Sequence, residues 1–319
     1  MDEHVLEPAA QRVAEIFAQP PFLFQMDVGA ARTVLEEIQA AHDSDLTVDD
    51  RLVTVPTPHG DVQVRLVRPV NRPDPLPVVL FLHGGGWIFG DAQTHDRLVR
   101  DLCVGADAAV AFVEFDRSPE VRHPVALEQA YAAAQWIGRS GAAHGLDPAR
   151  IAVAGDSTGG NMAAVLAILA KQRGDVSFVQ QSLYYPATDA AQDTASYREF
   201  ADGPYLTAAR MAWFWDAYVP DVNRRGDVTV SPLAASPAEL EGLPPALVIV
   251  DENDVLRDEG EHYARNLTAV GVPTVCVRYN GIVHDFLTLN DLRGTAAAIA
   301  AMEQATSALR EAFADHRAS

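Results

Sequence analysis

Apolar residues change their spacing near residue 50. Before it, Val13, Ile16 and Phe17, and then Val34, Leu35 and Ile38, recur at helical intervals, so residues 1–50 are predicted to form amphipathic helices. The run Val62 to Val67, within DVQVRLVRPV (61–70), alternates and predicts a half-exposed strand. Continuous apolar runs bounded by turns then take over: PVVLFLH (77–83), AAVAFVEF (108–115), RIAVAG (150–155), FVQQSLYYP (178–186), PALVIVD (245–251) and PTVCVRY (273–279). Helical stretches near 92–105, 124–138, 158–173 and 258–270 separate them; the last opens on Asp258 and Glu259 and stops at Gly271 before Pro273. Buried runs alternating with helices are the pattern of parallel strands covered on both faces. With one or two early strands, the expectation is an α/β fold of about eight strands in one mostly parallel sheet.

Residues 188–226 interrupt this alternation and carry Trp213, Phe214, Trp215 and Tyr218 in helical surroundings. Together with residues 1–50 they are the expected helical cap. Residues 51–187 and 227–319 are the expected catalytic domain.

Charge narrows the partners. The formal net charge of −20 repels phosphate backbones and anionic headgroups, so neither nucleic acid nor an acidic membrane is expected to bind. The longest apolar run, Met162 to Ala170, is short of the roughly 18 residues that a membrane span needs. The N-terminus lacks an apolar signal core, and a soluble, cytoplasmic protein is expected. Two cysteines, Cys103 and Cys276, form no disulfide framework and are read as buried structural residues.

The segment Ile151 to Asn161 reads as strand, sharp turn and helix start, with Ser157 flanked two residues away by Gly155 and Gly159. A tight strand-to-helix turn leaves no room for side chains beside a nucleophile, hence the glycines. The helix N-terminus behind Ser157 favours the anion formed during attack. There is no lysine where a phosphate-binding loop needs one.

His83-Gly84-Gly85-Gly86-Trp87 directly follows a buried strand. Such a loop turns amide hydrogens toward a ligand, and the N–H groups of Gly84, Gly85 and Thr158 are the expected oxyanion donors. His83 is expected to hold the loop. Enzymes with this elbow carry their partners in the order serine, acid, histidine. Asp251, Glu252, Asp254 and Asp258 all follow the strand PALVIVD, and residue type alone does not choose among them. His284 follows the last strand, whereas His262 sits in a helical stretch and His316 in the tail, so His284 is the expected base.

HGGGW, GDSTGGN, DVLRDEG and VHDF, in that order, resemble the hormone-sensitive-lipase family of bacterial esterases in the α/β-hydrolase superfamily over about residues 50–310. The resemblance selects Asp254 as the acid. It implies an eight-stranded hydrolase sheet with a helical cap, hydrolysis of short-acyl esters without cofactor or metal, and a homodimer. Thr158 stands where alanine is usual and Val255 where proline is, and Phe115-Asp116-Arg117-Ser118-Pro119-Glu120 departs from Y-R-L-A-P-E. Two other functions fit the same motifs: an amidase or deacetylase of a small natural product, and a small-ligand receptor. The receptor would have lost the base, and His284 argues against it.

Overall fold

The computed structural model describes residues 5–40, 46–73 and 75–316. Leu76–Leu82 is buried at every position, as a strand without a polar face must be. It is β3 of an eight-stranded sheet that also contains β1 (Val48–Val55), β2 (Val62–Pro69), β4 (Ala109–Glu114), β5 (Leu146–Asp156), β6 (Gln180–Tyr184), β7 (Ala246–Asn253) and β8 (Thr274–Val283). The spatial order is β1-β2-β4-β3-β5-β6-β7-β8. Only β2 runs against its neighbours β1 and β4; all other pairings are parallel.

Around the sheet lie α1 (Pro8–Phe17), α2 (Val28–Ala40), α3 (Asp96–Ala106), α4 (Val125–Ser140), α5 (Thr158–Arg173), α6 (Ala195–Glu199), α7 (Ala208–Tyr218), α8 (Pro237–Leu240), α9 (Arg257–Ala269) and α10 (Ala296–Asp315). α3 packs on α10, while α4, α5, α8 and α9 form a second series of neighbours. α5 is buried from Thr158 through Ala170, which is why this helix lacks a polar face.

Three sequence expectations are corrected. β2 is not half-exposed: Val62, Val64, Leu66 and Val67 are buried, and so is Arg65. The alternation there reflects Arg65, whose guanidinium bridges Asp50 of β1 and Asp96 of α3. Ile16 lies on the outer side of α1, 61% exposed. Cys103 is buried as expected, but Cys276 is exposed, because β8 forms the sheet's edge.

The parallel strands set up the site. β3, β5, β7 and β8 run in one direction, so the residues that follow them, His83, Ser157, Asp254 and His284, emerge at a single carboxyl edge. Between β6 and β7 the chain makes a long excursion containing α6 and α7. Its Trp215 and Tyr218 rings lie 4.6 and 4.1 Å from Trp87, packing α7 onto the glycine loop. Among the described residues, no helix is long and apolar enough to cross a membrane.

Candidate active site

Ser157 occupies the turn between β5 and α5 with φ 54° and ψ −119°, a conformation that a non-glycine residue holds only when its surroundings enforce it. The enforcement is steric. A Cβ on Gly155 would stand 2.3 Å from the Gly159 carbonyl oxygen, and one on Gly159 would stand 2.0 Å from that of Leu82. Both elbow glycines are therefore required by close backbone packing. The Ser157 amide donates to the Tyr184 carbonyl at 2.8 Å and fixes the turn to β6.

The Ser157 hydroxyl lies 2.8 Å from His284 Nε2, and His284 Nδ1 lies 2.7 Å from Asp254 Oδ2. The other oxygen of Asp254 accepts the Leu256 amide at 3.0 Å. All three side chains are buried. Burial disfavours charge on His284, but Asp254, Asp285 and the hydrogen bond to Asp254 outweigh it, and the pKa rises above 6.5.

The competing acids have other partners. Glu252 accepts the Gly281 amide, and Asp258 takes the Ser196 amide and the Arg257 guanidinium. Both carboxyl oxygens of Asp251 are buried with no hydrogen-bond partner among the described residues, and burial plus the charge of Asp254 push its pKa well above the usual range. Asp251, Asp254 and His284 present ligand atoms within 4.8 Å of one another. A cation bound between Asp254 and Nδ1 of His284 would have to replace the proton they now share.

One expected oxyanion donor is corrected. The Gly84 amide donates to Asp156 Oδ1 at 2.9 Å and is not free to meet a substrate. Gly85 and Gly86 instead face the cavity containing Ser157 and His284, and their amides have no acceptor among the described residues. Thr158 opens α5, where the first amides lack intrahelical partners, and its hydroxyl accepts the Trp87 amide at 3.3 Å.

Asp156 is thus a buried bracket that pattern reasoning missed. It ties Gly84 to the elbow, accepts the Thr288 hydroxyl at 3.0 Å and lies 3.4 Å from His95 Nε2. Burial alone would raise its pKa, yet His95 and the hydrogen bonds from His95 and Gly84 hold it low, while His95 is raised in return. A buried acid directly before the nucleophile was the available signal; its partners come from the residue before α3 and from beyond His284, too far along the chain to infer.

His83 holds the loop as expected. Its ring stacks on Phe115 at 4.1 Å, and Nδ1 lies 2.9 Å from the Gly84 carbonyl. Burial first, then the neighbouring His95, lowers its pKa to about 3, so the ring is neutral. The unusual 115–120 segment belongs to the same support. Ser118 donates its amide to the Trp87 carbonyl at 2.8 Å, Arg117 reaches the Gly90 carbonyl at 2.7 Å, and Glu120 pairs with Arg32 of α2.

A partly open cavity lies over Ser157. Its walls include Phe89 from the glycine loop, Leu206 and Phe214 from the excursion, and Leu23 and Leu35 from the N-terminal segment.

Residues 79–288 match the family model of the alpha/beta hydrolase fold. The chain is 42% identical to the carboxylesterase NlhH of Mycobacterium tuberculosis over 71% of its length and 72% of the relative's. It is 38% identical to the carboxylic ester hydrolase LipN of the same organism, over 93% of this chain and 81% of that one. The crystal structure of a thermostable esterase from Pseudomonas putida ECU1011 superposes with a TM-score of 0.95 at 45% identity, covering 98% of this chain and 99% of the other. With this match over most of its length, the chain belongs to the hormone-sensitive-lipase-like esterases of the α/β-hydrolase fold, a family of carboxylic ester hydrolases.

Proposed function

We propose that the protein hydrolyses short-acyl carboxylic esters through an acyl-enzyme on Ser157. The observation that carries this reading is His284, hydrogen-bonded to Ser157 on one side and Asp254 on the other, across from the free amides of Gly85 and Gly86. The Ser157 oxygen attacks the acyl carbon while His284 Nε2 takes its proton. Asp254 keeps the imidazole in the tautomer that leaves Nε2 able to accept. The oxygen that gains charge meets the amides of Gly85, Gly86 and Thr158, each such donor worth about 3 kcal/mol in the transition state. His284 then protonates the departing alkoxide. Water repeats the sequence on the acyl-serine and releases the acid.

Chain length follows from space. Phe89 and Phe214 narrow the cavity over Ser157 from two elements, which favours a small acyl group. In this reading α1, α2 and residues 188–226 form the cap that sets the limit, and the protein works as a homodimer. A series of p-nitrophenyl esters is expected to give the highest kcat/KM at acetate to butyrate and a steep decline beyond. A maximum at long acyl chains would refute the cap assignment.

The pH profile tests the base. Protonated His284 cannot accept from Ser157, so kcat/KM is lost as pH falls through the His284 pKa, which lies above the ordinary 6.5. Asp285 Oδ1 lies 3.5 Å from His284 Nε2 and contributes to that rise. Asp285→Asn is therefore expected to move the inflection to lower pH. An unmoved inflection would remove Asp285 from the electrostatics of the base.

A further inference from the structure

We propose that Arg210 makes the cavity selective for esters bearing a carboxylate. The inference rests on the esterase reading above and specifies its substrate class. Arg210 lies on α7, is only 5% exposed, and lines the same cavity as Ser157 and His284. Its guanidinium lies over the rings of Tyr205 at 5.3 Å and Phe17 at 5.9 Å. Its Nε is buried with no partner, and among the described residues no carboxylate pairs with it.

That vacancy is unusual within this chain. Among the described residues the other buried arginines are paired: Arg65 with Asp50 and Asp96, Arg97 with Asp101, and Arg257 with Asp258 and Glu199. A buried cation without a counter-charge is unfavourable, and a planar guanidinium whose faces rest on aromatic rings still presents its edge to a carboxylate. The acids that share the cavity are engaged elsewhere. Asp156 is held by Gly84, Thr288 and His95, and Asp285 accepts the Tyr205 hydroxyl at 3.2 Å. The missing counter-charge is therefore supplied from outside. In a protein of net charge −20, one buried cation in the cavity separates the intended anion from a general repulsion of anions. The apolar walls that narrow the cavity favour a small acid, either an acylated hydroxy acid or a half-ester of a dicarboxylic acid.

The test compares esters that differ only in charge. Acetoxyacetate and acetoxyacetamide place the group on the alcohol side of the scissile bond; monoethyl succinate and ethyl succinamate place it on the acyl side. The wild-type enzyme is expected to prefer the anion in one of the two pairs by about 10–100-fold in kcat/KM, the range of a hydrogen-bonded charge pair. The pair showing the preference identifies the side. Arg210→Met should abolish that ratio mainly through KM, and Arg210→Lys should restore part of it; a purely structural arginine would affect both members of a pair alike. Should Arg210→Met fail to fold, the wild type still decides: the acid products, glycolate or succinate, should inhibit competitively at concentrations where glycolamide or succinamide does not. Hydrolysis of the neutral esters with no anion preference in either pair overturns this proposal. No hydrolysis of any neutral ester, p-nitrophenyl acetate included, overturns the esterase reading instead.

Discussion

Ser157→Ala is expected to lower kcat by about 10⁶-fold, and His284→Ala by nearly as much, with the double variant no worse than either single one. The lack of additivity has a structural origin. The Ser157 hydroxyl is useful only while His284 Nε2, 2.8 Å away, can take its proton, and His284 has no nucleophile to serve once the hydroxyl is gone. What survives is binding and oxyanion stabilisation by the amides of Gly85, Gly86 and Thr158, which depend on neither side chain. The fold should remain. The turn at Ser157 is held by its backbone bond to Tyr184 and by the close packing of Gly155 and Gly159, and alanine can occupy it as serine does. Initial rates on p-nitrophenyl acetate, with circular dichroism and melting curves, check both halves. Near-normal turnover in either single variant would end the assignment, and multiplicative losses in the double variant would mean that the two residues do not act as a unit.

Much of this was legible before any coordinates, and the reasons lie in local chemistry. Runs such as PVVLFL and ALVIV are apolar throughout because both faces of those strands are covered, so they stand out without alignment. The elbow is equally local: Gly155, Ser157 and Gly159 meet within one turn, and α5 begins at Thr158 where the pattern places it. β1 was harder to see. Asp49, Asp50 and Arg51 face solvent on an edge strand, and no apolar run marks them.

The site was less legible where distant segments decide a role. Gly84 and Gly86 are equivalent in sequence, yet the Asp156 carboxylate engages the first and leaves the second facing the cavity. A Cβ on Gly86 would fall 2.1 Å from the Phe214 ring, so that glycine also accommodates the excursion that covers it. The role of Arg210 depends on rings from α1 and the excursion and on the absence of a nearby acid, none of which a pattern along the chain records.

Residue type alone left Asp251 and Asp254 as rivals, and their substitution by asparagine is expected to separate them widely. Asp254→Asn should reduce kcat by about 10⁴-fold, because an amide facing Nδ1 no longer secures the tautomer in which Nε2 accepts from Ser157. Asp251→Asn should leave kcat within a few-fold of the wild type. Burial and the neighbouring charge of Asp254 both favour the neutral Asp251 carboxyl, and the amide is a neutral group of similar shape. The pH dependence should separate them too. Removing the charge of Asp254 removes a cause that raises the His284 pKa, so whatever activity Asp254→Asn retains should persist to lower pH than in the wild type. Stopped-flow or steady-state kinetics from acid to neutral pH measures all three quantities. If Asp251→Asn instead caused the large loss while Asp254→Asn stayed active, the acid would be Asp251, and the 2.7 Å contact between Asp254 and His284 would not be the one that orients the base.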